Sequence, residues 1–152
     1  MDNKRQDVMA ILKLYELRRD DKLRQARRWY FTEFNPTSGK EIVRLDVSGE
    51  RESANFRMVT SFWDMACSFV NNGAIDEKLF LDSNTEHIFV FAVIEPYLAE
   101  MRELFGEPDY LENLEKLVTR IPNVEGKLEN RRKLHRRWAK KREVDRNIEL
   151  IT

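Results

Sequence analysis

Seven consecutive apolar residues, Ile88-Phe89-Val90-Phe91-Ala92-Val93-Ile94, stand in a chain of 152 residues of which 36% are charged. The run is apolar on every side, so its place is in the interior. At seven residues it is far too short to cross a membrane. Its period alone does not separate a buried helix from a buried strand. The continuation into Tyr97, Leu98, Met101, Leu104 and Phe105 keeps helical spacing and favours one helix over about 84–105. Pro96 then kinks that helix, and the carbonyl freed near Ala92 needs another partner.

The rest of the chain also reads as helix. Five Gly and four Pro leave little material for the many turns of an all-β fold. Val8, Ile11, Leu12 and Tyr15 mark a helix over 5–18, and Leu23, Ala26 and Tyr30 a second over 21–33, with Asp20 or Asp21 as its N-cap. Asn35-Pro36-Thr37-Ser38-Gly39 stops the run. Residues 40–50 read as a loop or helical turn. Phe56, Val59, Phe62/Trp63, Ala66 and Phe69/Val70 give a helix over 53–72, which Gly73 ends as a left-handed C′ residue. Asp76 caps a short helix reaching Phe80 or Leu81, and Ser83, Asn84 or Thr85 caps the 84–105 helix. Gly106 closes it, and Pro108 begins a helix that Ile121-Pro122 ends. One further helix runs from about Val124 to Leu150, roughly 39 Å at about 1.5 Å per residue.

The expected fold is therefore all-α. It is a single irregular bundle of six or seven helices with a long, protruding or crossing, basic C-terminal helix. Residues 1–123 form the bundle, and residues 124–152 are a basic helix that is part of the same domain or packed against it. The expected core is Phe56, Val59, Phe62, Phe69, Ile88, Phe91, Ile94, Leu98, Leu114 and Leu117.

Net charge is zero, yet the charges are unevenly placed. Residues 1–34 hold nine Lys/Arg against six Asp/Glu, residues 35–124 eight against sixteen, and residues 125–152 ten against five. Basic arms thus flank an acidic body. Arg131, Arg132, Lys133, Arg136, Arg137, Lys140, Lys141 and Arg142 place eight cations in twelve residues, with Trp138 the one aromatic among them. Such a helix needs a negative partner: the acidic body in cis, another copy's body in trans, or a polyanion. Neutrality of the whole chain and a lone aromatic rank nucleic acid behind protein. Leu134 and Trp138 make too thin an apolar face for a membrane surface.

Leu23-Arg24-Gln25-Ala26-Arg27-Arg28, Phe62-Trp63-Asp64 and Val70-Asn71-Asn72-Gly73-Ala74-Ile75-Asp76 form an ordered set. Glu95-Pro96-Tyr97-Leu98 and Pro108-Asp109-Tyr110-Leu111-Glu112-Asn113-Leu114 continue it. Across about residues 10–120 the chain resembles an uncharacterised bacterial family of small all-helical domains, a domain of unknown function. Ile94 stands where that family would carry a tryptophan. The resemblance implies a helical bundle and carries over no activity and no catalytic residues.

Chemistry-bearing residues are few. His87 and His135 are the two histidines, and no His-x-x-x-His, His-Glu-x-x-His or Cys-x-x-Cys spacing brings metal ligands together. His87 reads as a partly buried polar residue. His135, among cations that disfavour its protonation, reads as part of a solvated face. Cys67 falls among aromatics in mid-helix, where a thiol behaves as a small apolar group. A lone cysteine excludes an internal disulfide and fits a reducing cytosol. Ser38-Gly39-Lys40 lacks the glycines and preceding strand of a phosphate loop. Glu95, beside the apolar run, needs a donor if buried, and Arg27, Arg28 or Arg57 is the expected source. Its sharper reading is a general acid or base, but no matched partner accompanies it.

The expectation is a non-enzymatic cytoplasmic protein-interaction module. It has no metal and no cofactor, and its partner is a protein, itself included as a homodimer through the C-terminal helix. The alternative is a nucleic-acid-binding accessory protein using residues 131–142.

Overall fold

The computed structural model describes residues 3–151, and every regular element among them is helical. In order these are α1 (Asn3–Arg18), α2 (Asp21–Thr32), α3 (Gly39–Val47), α4 (Arg51–Asn71), α5 (Glu77–Ser83) and α6 (Glu86–Ile94), a 3-10 turn (Glu95–Tyr97), then α7 (Leu98–Phe105), α8 (Glu112–Thr119) and α9 (Val124–Ile151).

Local signals set many of the boundaries. The Asp20 carboxylate accepts the Lys22 and Leu23 amides at 3.0 and 3.3 Å, and Asp76 accepts the Leu79 amide at 3.0 Å. Gly73 and Gly106 take the left-handed conformation at φ 77° and 69°, closing α4 and α7 where a side chain would be strained.

Nine α-helices among the described residues exceed the six or seven expected, for two reasons. Residues 40–50 hold a true helix, α3, because its N-terminus is capped twice. Ser38 accepts the Glu41 amide at 3.1 Å, and the Glu100 carboxylate of α7 accepts the Gly39 and Lys40 amides at 3.0 and 3.1 Å. A Cβ on Gly39 would lie 2.8 Å from Glu100 Cβ, so α7 approaches α3 this closely only over a glycine. Second, the expected 84–105 helix is broken by Pro96 into α6, the 3-10 turn and α7. One expected boundary also shifts without changing the count, because Pro108 opens a turn and not a helix. The chain passes through Leu111 at φ 57° before α8 starts at Glu112.

The freed carbonyl has found its partner. Ala92 O accepts Arg132 Nε of α9 at 2.9 Å, and the same guanidinium reaches Glu95 at 2.8 Å. One side chain of the last helix thus repairs the backbone at the proline break.

The core forms where α4 packs against α2 and α8, while α6 is covered by α9, α8 and α4. Tyr30, Phe56, Trp63, Phe80 and Phe91 are fully buried there, and the Tyr30 hydroxyl donates to Val90 O at 2.7 Å. The expected core residues are buried except Phe69, which is 40% exposed. Residues 56, 59, 63, 66, 67 and 70 define the buried arc of α4, and 69 falls just beyond its edge.

Candidate functional site: the basic helix and the groove beside it

α9 lies against α6 and α2, so its cations divide by facing direction. Leu128 and His135, seven residues apart, are its two buried positions and define the seam. Along that seam the charges are satisfied within the chain. Arg132 meets Glu95 at 2.8 Å and Glu129 at 3.7 Å, while Arg142 and Arg146 meet Glu33 at 3.6 and 2.9 Å. Arg136 reaches Glu129 at 3.3 Å. Lys133, Arg137, Lys140 and Lys141 share the outward face at spacings of four, seven and eight residues. All four are exposed and make no ion pair among the described residues. Arg131 is half-buried and likewise unpaired, near enough to His87 for its charge to bear on that ring. Trp138 stacks on Phe89 at 5.4 Å with the planes 16° apart and meets Phe31 edgewise, yet remains 39% exposed.

Beside this helix runs an open groove of about 710 Å³ between α2, the first turn of α4 and α9. Trp29, Phe31 and Trp138 supply aromatic surface, Arg28, Arg51, Lys141 and Arg142 positive charge, and Glu33, Glu52 and Asp145 negative charge. A shallower recess of about 400 Å³ continues it along α2 past Arg24 and Arg28. The sequence showed the α9 cations but not this groove, because Arg28, Trp29 and Arg51 belong to distant segments with no shared motif.

The other candidate residues are placed as follows. His135 is buried, not solvated as its charged neighbours suggested, because it occupies the seam one heptad after Leu128. Its Nε2 is 2.7 Å from Phe34 O, the distance of an N–H donating to that carbonyl. Burial, more than the nearby Arg136, lowers its pKa. Glu95 is not held by Arg27, Arg28 or Arg57; it is 45% exposed and pairs with Arg132. Of the three, Arg27 serves a different carboxylate, Glu86. Arg27 donates to it through Nε and a terminal nitrogen at 2.6–3.0 Å, the Trp63 indole N–H donates at 2.8 Å, and Arg18 approaches to 3.6 Å. Arg18 also lies over the Trp63 ring at 5.2 Å. Two segments of the ordered motif set thus converge, through Arg27 and Trp63, on one half-buried ion cluster. Its signal in the sequence was only a Glu at the start of an apolar run.

His87 is fully buried between Trp63 and Phe80, and neither ring nitrogen has a partner. Burial first, and Arg131 second, lower its pKa to about 3, so the ring is neutral. Cys67 is buried, and desolvation followed by the Asp64 charge pushes its thiol up, away from the reactive thiolate. The amides after Ser38, where a phosphate loop would hold its anion, are taken by Glu100. Among the described residues no group of three or more His, Cys, Asp or Glu is arranged to hold a metal ion, and no helix is long and apolar enough to cross a membrane.

Neither the curated proteins nor the solved structures provide a match to this chain. The family comparison does. The ordered motifs converging on Glu86, on the Asp64–Leu114 cap at 2.9 Å and on the Pro96 break all fall in one span, residues 5–121, and over that span the chain belongs to the family described as "Domain of unknown function (DUF4760)".

Proposed function

We propose that this protein is a non-enzymatic, cytosolic protein-interaction module that pairs the outward cationic face of α9 with acidic protein surface, a second copy being the partner. The observation that carries this reading is the division of charge on α9. Its seam-side arginines are satisfied in cis, whereas Lys133, Arg137, Lys140 and Lys141 present one unpaired face. Two such faces meeting directly would repel. The acidic middle of another copy suits them better, since Glu103, Glu107 and Asp109 are exposed there without ion pairs among the described residues. The buried Cys67 thiol, held protonated, suits a reducing compartment.

Sedimentation of the full chain tests the reading. A dimer is expected that weakens between 50 and 500 mM salt and dissociates in the double variant Arg137→Glu/Lys140→Glu. A monomer at every concentration at low salt overturns it. The second reading, a nucleic-acid accessory, is favoured by the exposed Trp138 next to the same cations. It expects retention on RNA with steep salt dependence, lost in Arg136→Glu/Arg137→Glu.

A further inference from the structure

The groove beside α9 differs in character from the outward face of that helix. Trp138 has one ring face covered by Phe89 and is still 39% exposed, so the surface it offers to the groove is the opposite face and its edge. Trp29 is backed in the same way, stacked on Phe34 at 4.9 Å. Two indoles held from behind by phenylalanines are rigid platforms for a flat ring.

The charges around them converge from three helices. Arg142 is already engaged by Glu33, which also holds Arg146. Arg28 of α2, Arg51 of α4 and Lys141 of α9 make no ion pair among the described residues. Arg51 is moreover the first residue of a 21-residue helix whose N-cap, Glu50, gives no side-chain hydrogen bond, so the positive end of α4 opens on the same space. Glu52 and Asp145 also line the groove, which leaves room for one or two phosphates and disfavours a run of them. The amides of Gln25 and Asn55 make no side-chain hydrogen bond among the described residues and are available to the polar edge of a ring.

We propose that this groove is a binding site for a nucleoside mono- or diphosphate, the base stacked on Trp138 and the phosphate held by Arg28, Arg51 and Lys141. The volume, about 710 Å³, is that of a small-ligand site. An acidic peptide would satisfy the cations and leave both indoles unused, and a neutral aromatic would leave the cations unused. Lys141 is shared between this groove and the outward face, whereas Lys133, Arg137 and Lys140 belong to the dimer contact alone and do not line the groove.

Titration of the full chain with AMP and ADP, followed by tryptophan fluorescence and calorimetry, tests the assignment. Saturable binding is expected in the micromolar to millimolar range, with adenosine and inorganic phosphate each at least tenfold weaker. Trp138→Leu and Lys141→Glu, both at exposed positions, should each weaken AMP at least tenfold, while Lys133→Glu leaves it unchanged. Absence of saturable binding by either nucleotide overturns the proposal, as does AMP binding that survives both groove variants. Binding of a single-stranded oligonucleotide alone, abolished by Lys133→Glu, also overturns it and moves the anion site to the outer face. Loss of the dimer with AMP binding retained separates the two readings.

Discussion

α6 and α9 lie side by side and are built on opposite rules. In α6, eight of nine residues are buried, and the helix is enclosed by α4, α8 and α9. In α9, two of twenty-eight are buried, and the helix is held at a few points: Arg132 on Ala92 O, His135 on Phe34 O and Trp138 on Phe89. α6 lies inside the span that matches the family, whereas α9 begins beyond it. Burial fixes α6 through many equivalent contacts, so its position follows from composition. α9 is fixed by specific polar contacts, so its position depends on individual residues and its outer face stays open to others.

The comparison breaks most readily at Phe91. That ring is 1% exposed, and Phe91→Ala should cost about 3–5 kcal/mol by the loss of buried area and the cavity left behind. Trp138→Ala on α9 removes a larger ring that is 39% exposed and should cost under about 2 kcal/mol. Urea midpoints at constant m-value measure both. Equal costs would mean that α9 is as deeply integrated as α6, and the contrast would fail.

These two helices also show what the sequence could and could not say. Periodicity placed α4 and α6 and nearly all the core because burial repeats along a helix. It placed Phe69 in the core, whereas Phe69 is exposed and the buried arc of α4 takes Val70 instead. The Pro96 break and the needy Ala92 carbonyl were legible, since they follow from covalent geometry. That Arg132 answers it was not, because the two are 40 residues apart. α3 was missed for the same reason: its cap, Glu100, comes from 60 residues downstream. His135 was misread because its neighbours in sequence are cations, while its neighbours in space are Phe34 and Phe89. The α9 cations were visible as composition, but their sorting into paired and unpaired faces needed the seam.

His87 sharpens the contrast through pH. Its folded pKa, lowered by burial to about 3 from the ordinary 6.5, means that the unfolded chain binds a proton the folded chain refuses between those values. Its contribution is therefore complete above pH 6.5 and lost as pH falls toward 3, at up to about 1.4 kcal/mol per pH unit. His135, also lowered, adds in the same direction. Denaturant midpoints between pH 7 and 5, above the range where most carboxylates titrate, should fall in the parent and stay flatter in His87→Leu. The same substitution removes an unpartnered polar ring and should stabilise at pH 7 by about 1 kcal/mol. Parallel slopes would show that the ring titrates freely in the folded state.

Arg132 is where the two helices meet on polar terms. Arg132→Met leaves the Ala92 carbonyl without this donor and should cost about 1–3 kcal/mol. Pro96→Ala supplies a backbone N–H that can serve the same carbonyl. In that background the cost of Arg132→Met should shrink by about 1 kcal/mol, a coupling that a double-mutant cycle reads directly. Additive costs would show that Arg132 acts through Glu95 alone.

The smallest effect is expected at the far end of α9. Glu33 receives Arg146 at 2.9 Å and Arg142 at 3.6 Å, with all three side chains at least a third exposed. Exposed pairs of this kind contribute about 0.2–1 kcal/mol and are screened by salt. Glu33→Gln should therefore barely move the global midpoint. What should change is local: with one anion serving two cations, its loss leaves the stretch after Trp138 tied to the body by fewer contacts. Amide exchange over residues 140–150 should accelerate about two- to fivefold in 50 mM salt, with little change over α6. At 500 mM salt the parent should approach the variant, because screening has already weakened what the substitution removes. Equal exchange at low salt would mean that the end of α9 is held by something other than Glu33, and acceleration that spreads into α6 would mean that the two helices open as one unit.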